Sequence, residues 1–382
     1  MNARVQLWWQ RLTSELAFLV VLALMPLIPV GYEFVKHLKN DGTSAESTFA
    51  ILFFSDEFTK QISILIVYAL LALGLHVVVG YTGLLHLGVA AFFGIGAYVA
   101  GISATSTYPF QIGFVPALLL SALLAAAASF VLAAPTLRLR GDYLALVTLG
   151  FGEVLRFSLR NLENITNGTR AISPIPAAVS EGWPGVDRKM YFISLAILAG
   201  VVFMLRNLER SRLGRSWVAL REDELAATCM GIDIGKARLS AFAFGSAIAG
   251  MAGCLYAFLL NGTAQPDSYD FSRSIMTLCC LILGGLGSIR GVLFGVFLLI
   301  GFDNLGSYYI DAWIQEAKTQ WSTAGTLSEQ VDSLLKFSSW RLMVFGLALI
   351  LMMRFRPEGL FPAKRVQLEM HEYDDASPEG TK

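Results

Sequence analysis

Apolar residues in this chain run in blocks of membrane length, and charged or turn-rich stretches separate the blocks. A helix that crosses a bilayer needs about 20 mostly apolar residues. Ten runs approach that length: Glu15–Gly31, Gln61–Gly80, Gly83–Ser103, Gly113–Ala134, Tyr143–Leu159, Tyr191–Leu205, Leu239–Leu260, Ser274–Leu286, Val292–Ile310 and Trp340–Met353. The predicted fold is all-α, a polytopic helical membrane protein with about ten transmembrane helices. The first run follows Arg4 and Arg11 and ends without a small-x-small cleavage pattern, which predicts a retained span and not a signal peptide. Tyr143–Leu159 is interrupted by Glu153 and Arg156, and Ser274–Leu286 is short enough to be re-entrant.

Cytoplasmic loops of membrane proteins collect lysine and arginine. The basic segments here are the N-terminal arm, the Arg138/Arg140 turn, the stretch from Arg206 to Arg238, Arg290, and the tail from Arg354 to Arg365. Ten spans place all of them on one side, so both termini are expected in the cytoplasm. Residues 1–14 then form a cytoplasmic arm, 15–363 a transmembrane domain with a cytoplasmic segment at 207–238, and 364–382 a cytoplasmic tail without fixed structure. The opposite side receives Tyr32–Lys60, Arg160–Met190, Asn261–Arg273 and Asp311–Ser339, loops of a composition that suits contact with a soluble partner or solute.

Composition agrees: 55% of residues are hydrophobic, 15% are charged, and the mean hydropathy is +0.59. Soluble domains carry about a quarter charged residues. Lys plus Arg equals Asp plus Glu at 29 each, so net charge offers no case for a nucleic-acid partner. Cys229, Cys254, Cys279 and Cys280 lack paired metal-ligand spacing and are expected to be packing residues. No phosphate loop, nucleophile elbow or histidine-rich metal motif occurs, so neither a cofactor nor a metal is expected, and the chain reads as no enzyme.

The stretch from Gly214 to Gly250 carries the most information. Up to Gly231 it is helix-forming, with Trp217, Leu220, Leu225 and Met230 as apolar positions among charges, and Gly231 is a natural stop. A short helix, a glycine turn and a second helix would protrude as a knob able to pass a push into the spans. The alternative is a solvated charged loop.

The run Glu224-Leu225-Ala226-Ala227, followed by Thr228-Cys229-Met230 and Gly231, resembles the coupling motif of bacterial ABC importer permeases. Glu224 stands one position early, an offset similar to the Arg-Glu-Asp-Glu run of the branched-chain amino-acid permeases. Four further blocks, Gly80–Gly101, Leu137–Asn161, Leu281–Gly295 and Arg356–Pro362, resemble that same permease family in order, and the similar regions cover most of the chain from Gly80 to Pro362. The resemblance implies a two-half ABC importer permease architecture in a bacterial inner membrane. It also implies a second related permease, two ATP-binding cassette subunits and an extracytoplasmic solute-binding protein as partners, with branched-chain or other neutral amino acids as solute. Arg221, Glu222, Asp223, Glu224, Ala226, Ala227 and Gly231 would form the ATPase-coupling element.

Gly80, Gly83, Gly88 and Gly94 in one half, and Gly284, Gly285 and Gly287 in the other, are candidate translocation-pathway positions. Paired glycine interruptions in corresponding halves point to such a path; tight helix packing is the other reading. Glu153 and Arg156 are three apart on one helical face, so Glu153 either pairs with Arg156 or faces solute. Asp303 and Asn304 suit a polar pocket or a helix–helix hydrogen bond. His76 and His86 are expected as interfacial residues flanking a turn. Three rival functions stay open: a urea or short-amide ABC permease, a proton-coupled secondary transporter using Glu153, and a membrane-embedded enzyme, which the lack of any convergent acid, base or metal cluster disfavours.

Overall fold

The computed structural model describes residues 56–109, 111–136, 139, 141–176, 178, 186–259 and 264–306, with positions 343, 346, 347, 350, 354 and 359–361. The first predicted run, the arm, the tail and the loop Asp311–Ser339 lie outside the described residues, as does most of the tenth run. Ten helices of six residues or more are described: α1 (Asp56–Leu75), α2 (Val89–Ala104), α3 (Phe114–Thr136), α4 (Asp142–Asn161), α5 (Val186–Arg210), α6 (Arg212–Glu222), α7 (Glu224–Cys229), α8 (Ile234–Leu259), α9 (Phe271–Gly284) and α10 (Ile289–Gly301). The wider-wound π segments His76–Tyr81 and Phe302–Gly306 extend α1 and α10. Among the described residues there is no strand, only a bridge in which Ile172 and Ala264 exchange backbone hydrogen bonds of 3.2 Å.

Four of these stretches are long and apolar enough to cross a membrane: Thr59–Tyr81, Phe114–Ala133, Asp187–Arg210 and Ile234–Leu259. They divide into centre and periphery. The apolar window of Thr59–Tyr81 is 94% buried within the chain, whereas that of Phe114–Ala133 is 33% buried and leaves Val115, Leu119, Leu123 and Val131 on the surface. Apolar side chains outside a membrane bundle face lipid or a partner helix, so they carry no solvation cost there.

α8 is the hub, packing against α1, α2 and α3. Lipid tails are as apolar as leucine, so helices in a bilayer associate through close packing that small residues permit. Each contact uses one. A Cβ at Gly74 would stand 2.7 Å from the Gly245 carbonyl oxygen, one at Gly250 would stand 2.6 Å from that of Ser121, and one at Gly253 would strike the Phe93 carbonyl. Ser121 Oγ also donates to the Gly96 carbonyl at 3.0 Å, which ties α3 to α2 beside the same crossing.

Three predicted spans are revised. The run Gly83–Ser103 becomes a non-helical stretch, Gly83–Gly88, followed by the 16-residue α2. Ser274–Leu286 becomes the 14-residue α9, which at 1.5 Å per residue reaches only about 21 Å. The ninth run starts earlier, at Ile289, and continues as the second π segment to Gly306. α9 and α10 form a tight hairpin because Gly285 (φ +111°) and Gly287 (φ +85°) adopt backbone open to glycine. Gly284 and Gly291 then meet backbone to backbone, and Leu360 and Phe361 donate to the carbonyls of Leu283 and Gly284, each at 3.0 Å.

These close crossings generate a test. Gly253→Val should separate α2 from α8 and cost about 1–3 kcal/mol, the range for overpacking, read as a lower melting temperature of the purified protein in detergent. Gly200→Ala in α5 meets nothing within 4 Å and should be neutral or stabilising by about 0.4–1 kcal/mol.

Candidate functional site

The segment between α5 and α8 folds as two short helices braced against the bundle. Ser211 starts α6, its hydroxyl accepting from the Gly214 N–H at 3.2 Å. Trp217 is fully buried: its ring lies over Tyr81 with centroids 6.4 Å apart, meets Phe244 edge-on, and donates its indole N–H to Ser240 Oγ at 2.9 Å. Arg221 reaches the π segment and donates to the Gly80 carbonyl at 2.6 Å. Its stem covers Gly83 (φ +71°), where a Cβ would approach Arg221 Cγ to 3.0 Å.

The sequence suggested helix up to Gly231, but Asp223 splits it. Asp223 is extended, and its carboxylate accepts from the backbone N–H groups of Leu225 and Ala226 at 2.7 and 3.1 Å, which caps the start of α7. An aspartate offers the backbone this competing bond and so favours a cap over a helix interior. α7 ends as expected, with Gly231 at φ +81°. Asp233 then caps α8 by accepting from the Lys236 N–H at 3.1 Å, and that bond and the Lys236 ammonium hold its carboxyl below the usual range.

α7 has an inner and an outer face. Ala227 is buried, and Glu224 turns inward to an ion pair with Arg238, itself only 3% exposed. Arg238 also donates to the Leu139 carbonyl at 3.1 Å. Outside, Leu225 is 70% and Met230 84% exposed, and Ala226, Thr228 and Cys229 are exposed with them. Of the expected coupling residues, Glu222, Asp223, Ala226 and Gly231 lie on the open side, while Arg221, Glu224 and Ala227 face the bundle. Cys229 is not the packing residue expected, because the six-residue α7 presents only one side inward; Cys254 and Cys280 are buried.

The first glycine cluster surrounds the break Gly83–Gly88. In a membrane interior, irregular backbone persists only where its polar groups find protein partners. Thr148 of α4 accepts from the Leu87 N–H at 3.0 Å, Ser274 of α9 accepts from the Ala90 N–H at 3.1 Å, and the Gly83 N–H reaches the Val79 carbonyl at 3.2 Å. Gly88 lies against the Thr148 backbone, and Gly94, inside α2, lies beneath the Tyr269 ring. His76 and His86, expected at an interface, are buried instead. The π turn folds the His76 ring over Gly80, where any Cβ would collide with it, and His86 meets Phe242 edge-on at 5.4 Å. Gly284, Gly285 and Gly287 serve the α9–α10 hairpin, so both glycine clusters become backbone breaks followed by short helices.

Glu153 and Arg156 pair as their spacing suggested, with Nε and a terminal nitrogen of Arg156 at 3.0 and 2.9 Å from one carboxylate oxygen. Asp267 of the loop preceding α9 stands 3.8 Å from both Arg156 and Arg160. The Glu153 and Arg156 side chains are 30% and 25% exposed on the flank of α4. Asp303 is buried in the second π segment. Among the described residues no group of three or more His, Cys, Asp or Glu could hold a metal ion.

Membrane-length helices, two breaks at glycines and a braced segment between α5 and α8 describe a multi-pass membrane protein. The chain belongs to the family described as branched-chain amino acid transport system, permease component, whose model matches residues 59–353. It is 36% identical over 328 residues to the Escherichia coli K12 high-affinity branched-chain amino acid transport system permease protein LivM, covering 80% of this chain and 70% of that one. A probable branched-chain amino acid transport permease protein LivM from Methanocaldococcus jannaschii is 29% identical, over 78% of this chain and 91% of its own. The Salmonella typhimurium LT2 permease protein LivH of the same kind of system is 24% identical, over 68% and 88%. No solved structure matches.

Two outcomes follow from the geometry of α7. Asp223→Ala should cost about 0.5–2 kcal/mol of local stability, seen as faster amide hydrogen exchange across residues 224–229 with α8 unchanged. A membrane-impermeant maleimide should label Cys229 quickly and leave Cys254 and Cys280 unmodified, as quantified by mass spectrometry.

Proposed function

We infer that this chain is a membrane-spanning permease subunit of an ATP-driven importer, and that its solutes are branched-chain amino acids. The observation that carries the mechanism is the braced segment from Ser211 to Asp233. It holds an apolar pair, Leu225 and Met230, out from the bundle while Trp217, Arg221 and Glu224 anchor it to α8 and to the π segment. Exposed large apolar side chains on a rigid protrusion suit docking into a groove of a soluble subunit. We assign that subunit as one of two ATP-binding cassette ATPases, with Glu222, Asp223, Ala226 and Gly231 at the docking rim. The side carrying this segment and Arg290 is then cytoplasmic, and the membrane is the bacterial inner membrane. A solute-binding protein would deliver solute to the opposite side.

A second, related permease completes the path. The partly exposed pair Glu153–Arg156 lies within a 20-residue helix, and charges facing acyl chains cost a few kcal/mol or more. That flank of α4 therefore suits a wet path between the two permeases. The glycine breaks at Gly80–Gly88 and Gly284–Gly287 border short helices that can shift when the path opens. ATP binding acts by favouring one of two packings, since a partner moves an equilibrium only through its differential affinity for the two states.

The test uses membrane vesicles containing the complete transporter, with labelled leucine and urea as competing solutes. Leucine uptake requiring ATP supports the reading; urea uptake with the same requirement keeps the mechanism and changes the solute. Uptake that ignores ATP and collapses with a protonophore overturns it. Leu225→Glu/Met230→Glu should weaken ATPase-subunit binding about 30-fold, the equivalent of about 2 kcal/mol for an interface hot spot, and abolish ATP-driven uptake.

A further inference from the structure

We propose that Arg238 is a positioning residue for energy coupling, and that Glu224 acts through it as an internal clamp and not as a contact to the ATPase subunit. The inference rests on the importer reading above. Glu224 opens α7, the helix that bears the exposed Leu225 and ends at the exposed Met230 cap, yet its carboxylate turns away from that surface to the Arg238 guanidinium. Arg238 sits in the second turn of α8 and is 3% exposed. A second nitrogen of the same guanidinium donates to the carbonyl of Leu139, in the connection between α3 and α4. One planar cation thus joins the docking helix and the base of the hub helix, which follow one another in the chain, to the connection leading into α4, 99 residues earlier. Arginine suits this role because its donors are fixed in a plane, so pulling on one acceptor moves the other.

The rest of the segment is fastened elsewhere. Trp217 and Arg221 hold α6 to Ser240, Tyr81 and Gly80, and α7 meets the bundle through Glu224 and the buried Ala227. A push on Leu225 and Met230 then reaches α8 and the α3–α4 connection through the clamp. Without the clamp, α7 keeps its apolar surface and its Asp223 cap, so it still docks, but the push is lost in local movement.

The experiment compares Arg238→Gln, Glu224→Gln, the exchange Glu224→Arg/Arg238→Glu, and Leu225→Glu/Met230→Glu in the assembled transporter. Membrane insertion, ATPase-subunit co-purification, ATP hydrolysis and leucine import are measured together. In Arg238→Gln and Glu224→Gln the ATPase subunits should co-purify as in wild type, while leucine imported per ATP hydrolysed falls about tenfold. The exchange variant, which restores the ion pair but not the bond to Leu139, should regain part of that ratio. Two results overturn the proposal: an unchanged ratio in both clamp variants, or loss of ATPase-subunit binding in Glu224→Gln equal to that in Leu225→Glu/Met230→Glu, which would place Glu224 in the docking contact. If Arg238→Gln fails to insert, the milder Glu224→Gln decides. Failure of the importer reading itself is visible separately, as wild-type uptake that does not depend on ATP.

Discussion

The bundle depends on α8 reaching backbone contact with three neighbours at once. Gly245, Gly250 and Gly253 admit the main chains of α1, α3 and α2 respectively, at separations that no side chain could share. Within a bilayer there is no hydrophobic drive to hold helices together, so such contacts supply much of the cohesion. Because the same helix carries Arg238 and Ser240 in its second turn, the segment from Ser211 to Asp233 is fastened to the element that packs against all three neighbours. On the importer reading, a soluble partner that grips α7 is therefore connected to the centre of the bundle and not to a loose loop.

Close packing at the hub contrasts with the backbone between α1 and α2. There the chain passes from α-helix to a π segment and then to six residues without helical structure before α2 begins. Hydroxyls of Thr148 and Ser274 substitute for missing helical carbonyls, and Arg221 fastens the π segment from below. Each partner belongs to a different helix, so any relative movement of α4, α6 or α9 changes the hydrogen bonding of the break. On the importer reading this makes the break the place where movement of the docking segment meets the transport path.

The α9–α10 hairpin shows how separate stretches of sequence become one object. The glycines of Leu281–Gly295 make its turn and its interface, and Gly359 from the distant block Arg356–Pro362 packs onto Gly285. Leu360 and Phe361 extend that contact by donating to the last carbonyls of α9. Two blocks that share a family resemblance for no evident local reason are thus joined by direct backbone hydrogen bonds.

Sequence alone determined what depends on neighbours a few residues apart. The apolar runs marked α1, α3, α5 and α8, Gly231 marked the end of α7, and the spacing of Glu153 and Arg156 marked their ion pair, because helical periodicity and left-handed turns are local properties. Only the tertiary structure decided that Glu224 faces inward to Arg238, that Arg221 holds Gly80, that His76 and His86 are buried, and that α2 begins six residues after the sequence pattern suggested. Each of these outcomes is set by a partner on another helix. A charged or polar residue announces that it needs a partner, but where that partner stands is fixed by helix packing and not by the residue's own surroundings in the chain.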